Sequence, residues 1–258
     1  MKYYRSMLII AIIVFAASTV MYVISFWTGE TLGGEVYTSR WIMVFLMLLM
    51  LFPLLRKLDR GTIQRRLWSI ITLAMLLAIT ATTLETIDAY AGRMVISQDI
   101  ISLIYLVVFI PILVVIFMLY FGYKSMGFEF QPEAFYKLMP SFMVLALATV
   151  LVVMVPLAMS SGDLAVRISD IFSLAVQLLA LFLTTFIAAT VGRGRMGRPW
   201  LFLSLALAMV VIQTILTAQL RMVGMVRTTE LADLVVHLGY LFLIIAVYYQ
   251  NEIITQLP

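Results

Sequence analysis

The chain has 258 residues, of which 64% are hydrophobic and 12% charged, with a formal net charge of +4. A water-soluble domain carries roughly 25% charged residues, and a single soluble core of this length could not hide so much apolar surface. The composition therefore excludes an ordinary soluble enzyme. The basic excess is spread over short segments between apolar blocks, which argues against nucleic acid as a partner. Cysteine is absent and His237 is the only histidine, which excludes disulfides, thiolate metal sites and bis-histidine haem ligation within the chain.

The apolar residues fall into eight blocks, near 7–27, 41–55, 68–90, 99–122, 138–159, 168–190, 200–222 and 231–249. Each is a continuous Leu-, Met- and Ala-rich run, whereas a barrel strand would alternate over about ten residues. The expectation is an all-α, polytopic membrane bundle of about eight transmembrane helices, forming one integral membrane domain over 1–258. The first block follows Lys2 and Arg5 and is too long for a signal-peptide core, so it reads as a retained helix. The second block is the shortest, suggesting a deep or angled start.

Basic residues set the orientation. With the amino terminus inside, 12 of the 17 face the cytoplasm, including Arg56, Lys57, Arg65 and Arg66 after block two. Arg40, Arg93, Arg167, Arg221 and Arg227 face out. This predicts a cell-membrane protein with both termini cytoplasmic and the lipid bilayer as its first partner. Aromatic residues at block ends, such as Trp27, Trp41, Trp68 and Trp200, read as an interfacial belt.

An internal repeat is suggested by Trp68 and Gly92 against Trp200 and Gly224, and by Thr82 against Thr214, all offset by 132 positions. Asp99 and Asp233 follow at an offset of 134. The implied architecture is a four-plus-four tandem repeat of helical hairpins with halves 1–132 and 133–258, related by an axis along the membrane normal.

Polar residues within apolar blocks are the candidates for function. Glu85, Asp88, Gln219, Arg221, Asp233 and His237 are expected to surround an outward-opening polar pocket, with Asp233 one helical turn before His237. Asp99, Asp170 and Asp233 also read as helix caps at the starts of their blocks. Gln177 is expected to bond a neighbouring helix. Pro111 and Pro156 are expected to free carbonyls and bend their helices. The segment VGRGRMGRPW spells GxGxxG without the strand a dinucleotide site needs; Arg193, Arg195 and Arg198 instead suit anionic lipid headgroups. No metal or cofactor is expected, and no catalytic motif is present.

The hairpin pattern loosely resembles the multi-helix input modules attached to prokaryotic signalling proteins, which implies a sensor or signal-input module, or an accessory subunit of a membrane complex. With no output domain in the sequence, that reading expects a partner membrane or signalling chain. A small-solute or ion transporter is the alternative, and a lipid-modifying membrane enzyme the third.

Overall fold

A computed structural model describes residues 2–28, 34–91, 98–125, 132–160, 164–191, 197–222 and 229–256. Helices α1 (Lys2–Thr28), α2 (Gly34–Lys57), α3 (Ile63–Ala91) and α4 (Gln98–Ser125) account for the first four apolar blocks. The fifth block is α5 (Pro132–Thr149), a π turn at Val150–Met154 and α6 (Val155–Met159); α7 (Leu164–Val191), α8 (Arg198–Met222) and α9 (Thr229–Gln256) complete the chain. Among the described residues there are no strands, and eight helices are long and apolar enough to cross a membrane.

Three expected helix starts are corrected. The second block is not short: α2 begins seven residues before Trp41 and takes Tyr37, Ser39 and Arg40 into the helix. Likewise α7 starts at Leu164 and α9 at Thr229, so Asp170 and Asp233 lie inside their helices rather than capping them. In each case partners elsewhere in the fold keep polar residues helical where local sequence reads as a loop.

Six helices close a ring. In order around it, α2 packs on α3, α3 on α4, α4 on α7, α7 on α8, α8 on α9, and α9 returns to α2. Helix α1 lies outside against α2 and α9, and α5 lies outside against α7. The core includes Met43, Met47, Leu51 and Trp68, all fully buried. The Trp68 and Trp200 rings stack at 6.2 Å between centroids, joining α3 to α8. The outer surface stays apolar, with Ile13 61% and Val144 69% exposed. Gly239 sets the closest approach of α8 and α9, since a Cβ there would lie 3.2 Å from the Ala206 carbonyl oxygen.

Both outer helices are fastened at a proline. Proline brings no N–H to the carbonyl four residues earlier, which is Leu49 for Pro53 and Val152 for Pro156. The Tyr3 hydroxyl of α1 donates to the Leu49 carbonyl at 2.8 Å. The Gln219 amide of α8 donates to the Val152 carbonyl, just where the π turn precedes Pro156. Each proline thus turns a main-chain acceptor into a docking point for another helix. Gln219→Leu is expected to lower the stability of the purified chain by about 1 kcal/mol. In a Pro156→Ala background, where the restored N–H can serve Val152, the same change should cost much less, as thermal unfolding of the four variants would report.

Candidate functional site

Near the end of the ring opposite both termini, a guanidinium joins three helices. Arg40 of α2 donates from Nη1 to Glu85 Oε2 of α3 at 3.0 Å and from Nη2 to Asp233 Oδ1 of α9 at 2.7 Å. The arginine side chain is only 10% exposed, and the two carboxylates 14% and 19%. Tyr105 of α4 donates its hydroxyl to the same Glu85 oxygen at 2.7 Å. The Tyr37 ring lies 5.6 Å from the guanidinium carbon, in cation–π range. An arginine this buried is tolerable because each end of its planar fork meets a carboxylate. Its Nε has no partner among the described residues.

Beneath this cluster the ring encloses a cavity of about 380 Å³. Arg40, Glu85, Asp233 and Tyr105 form part of its wall, with Asp170, Ser173 and Gln177 of α7 and Gln213, Thr214 and Thr217 of α8. Deeper in the ring the wall is apolar, from Ile71, Met75, Ile112, Val115, Leu203 and Leu207 among others. Gln177 is 3% exposed; its Nε2 donates to Ser173 Oγ at 3.0 Å, while its Oε1 has no donor among the described residues. The expected bond from Gln177 to another helix is therefore replaced by one within α7.

The lining residues keep a numerical register. On α3, positions 71, 75, 78 and 85 face the cavity; on α8, positions 203, 207, 210 and 217 do so, each 132 later. On α2 and α7 the positions are 37 and 40 against 170 and 173, each 133 later. By number Arg40 falls opposite Ser173 and Glu85 opposite Thr217, while Asp170 of α7 and Asp233 of α9 bring further carboxylates to the wall.

The expected pocket residues divide. Glu85 and Asp233 meet at the cavity, as charge partners of an arginine that the sequence reading had placed in an outer loop. His237 does not line it. Fully buried, His237 approaches the Asp233 carbonyl oxygen with Nδ1 at 2.7 Å and Ser39 Oγ with Nε2 at 2.8 Å. A carbonyl can only accept, so Nδ1 carries the proton and, in the neutral ring, Nε2 accepts from the Ser39 hydroxyl. With the Tyr22 ring edge-on at 5.8 Å, this pairing ties α2 to α9 and leaves the Asp233 carboxylate to Arg40. Asp88 lies one turn beyond Glu85 on α3 and is not part of the cavity wall. Gln219 points instead to the Val152 carbonyl.

Arg221 ends α8 with its side chain outside the described residues, as are Arg193 and Arg195; Arg198 is exposed, its guanidinium 5.5 Å from the Tyr249 ring centre. One signal in the sequence pointed to Arg40. A block spanning 41–55 is too short to cross a bilayer, so its helix must extend through residue 40. No family model, curated protein or solved structure matches the chain.

Removing the cation would leave two largely buried carboxylates without their shared partner. Arg40→Met is therefore expected to destabilise the chain by about 3–5 kcal/mol. Arg40→Lys should recover only part of that, because an ammonium lacks the fork that reaches two carboxylates. Denaturant unfolding of the purified variants checks both.

Proposed function

We propose that this chain is a multi-pass cell-membrane protein that receives a small amphipathic ligand in its ring cavity and serves as the input module of a membrane assembly. The observation that carries the reading is the cavity itself, with a polar wall at one end, an apolar wall below, and a charge cluster tying α2, α3 and α9 beside it. A few converging polar groups on a mainly apolar cavity are the usual make-up of a ligand site. Because Arg40 holds three helices through side chains that also face the cavity, an occupant could bias the ring's packing. That is the physical requirement for signalling to a partner chain.

The apolar outer surface supports placement in the bilayer, and the distribution of basic residues supports cytoplasmic termini. The register of 132 to 133 positions between lining residues, with the sequential packing of α2–α3–α4 and α7–α8–α9, supports a four-plus-four duplication with halves 1–132 and 133–258. In that reading the helical scaffold is duplicated and the site has become asymmetric, with its one described cation, Arg40, on the first half and two of its carboxylates, Asp170 and Asp233, on the second. A transporter is the second reading. The π turn before Pro156 favours it, because such turns are frequent where helices must adjust.

Native mass spectrometry of gently extracted protein tests the proposal. A single small-molecule adduct is expected, and Leu207→Trp, which fills the apolar wall, should abolish it. An adduct retained in that variant would contradict a cavity ligand. Flux of the same molecule through proteoliposomes would favour transport over input.

A further inference from the structure

The chemistry of the cavity wall narrows the ligand class, an inference that rests on the cavity being a ligand site. The described lining residues include one cation, Arg40, and three carboxylates, Glu85, Asp170 and Asp233, a formal excess of two negative charges. Arg40 is already committed to two of them, at 3.0 and 2.7 Å. An anionic ligand would have to displace Glu85 or Asp233 from the guanidinium. A cation meets no such obstacle.

A second observation is independent of the charges. Gln177 is 97% buried and faces the cavity, and its Oε1 has no donor among the described residues, although its amide nitrogen is held by Ser173. A buried acceptor left unpaired costs about 1–3 kcal/mol. A ligand N–H would relieve that cost. Gln177 lies two turns along α7 from Asp170, so a hydrogen-bond acceptor and a carboxylate of one helix both border the cavity.

Shape supplies the rest. On α4 the lining runs from Tyr105 to Val115, ten residues or about 15 Å of helix. Its polar end is at Tyr105 and its apolar end at Ile112 and Val115. The cavity is long enough for an extended hydrocarbon body as well as a head.

We propose that the ligand is a cationic amphiphile: a protonated amine donating to Gln177 Oε1 and the nearby carboxylates, with an extended apolar body lying along Met75, Ile112, Val115 and Leu207. The positive head offsets the excess negative charge and the apolar body fills the deeper wall. Arg40 is a positioning residue, which keeps Glu85 and Asp233 in place around the head.

The test compares three probes of one chain length, dodecylammonium, dodecan-1-ol and dodecanoate, titrated below their aggregation limits onto the full-length chain in nanodiscs at neutral pH. Binding is read by native mass spectrometry, with Leu207→Trp as the cavity-filled control. The ammonium is expected to bind once per chain and at least about tenfold tighter than the alcohol. Gln177→Leu and Asp170→Asn should each weaken the ammonium by about tenfold. Each variant should still bind a single dodecylammonium that Leu207→Trp removes, which shows that its cavity is intact.

Cavity-dependent binding of all three probes with equal strength, or tightest binding by dodecanoate, would overturn the cationic assignment while leaving the ligand site standing. An ammonium preference that survives Gln177→Leu and Asp170→Asn would place the head elsewhere and overturn the assignment too. Binding that is absent for every probe, or undiminished in Leu207→Trp, would overturn the cavity reading itself.

Discussion

A guanidinium removed from water must be met on more than one side, and the need of Arg40 organises one end of this molecule. Glu85 and Asp233 reach it from helices that are distant in sequence, so forming the cluster brings α2, α3 and α9 together. Tyr105 extends the same network to α4. Four of the six ring helices therefore meet through one group of side chains. Apolar packing alone would hold these helices together with little regard to rotation or register. Buried ion pairs contribute more to such specificity than to net stability, because desolvation offsets much of their attraction. That account suits a ring which must enclose a cavity rather than collapse into it.

The opposite end and the flanks use milder devices. Lys57 of α2 donates to Asn251 of α9 at 2.7 Å and lies 5.1 Å from the centre of the Tyr4 ring, so the same two helices are joined again near the termini with α1 beside them. Helix α2 is thus held to α9 by a polar link at each end. The outer helices α1 and α5 add proline-freed carbonyls as their anchors. These contacts are single neutral hydrogen bonds, worth less than the charged cluster, and α5 with its π turn is the part of the fold with the fewest partners in the ring.

Much of this was legible in the sequence, for physical reasons. Eight long apolar blocks can only be helices, and all eight are found. Pro156 was read as freeing a carbonyl, and its place in the fold follows from that. Trp68 and Trp200, which recur in the sequence at an offset of 132, meet as stacked rings. Glu85 and Asp233 were singled out because carboxylates near apolar runs need partners. The partner was missed, since Arg40 precedes its block and looks like an orientation charge. Hydropathy cannot tell a loop arginine from one drawn into a helix by carboxylates from two other helices. The same limitation put Asp170 and Asp233 at helix caps and His237 at the pocket, when its bonds go to a carbonyl and a serine. Gln219 was read as a pocket residue because only tertiary structure shows which acceptor an amide reaches.

Arg40 holds α2, α3 and α9 together beside the cavity, so the shielding of the cavity from water is expected to depend on it. The chain has no cysteine, so a single cysteine in place of Gln177 reports access to the cavity through its reaction rate with a small charged methanethiosulfonate. With Arg40 intact, that cysteine should react at least about tenfold more slowly than an exposed control, and Arg40→Met should remove most of the difference. A cysteine at 177 that reacts as fast as the exposed control while Arg40 is in place would contradict the account.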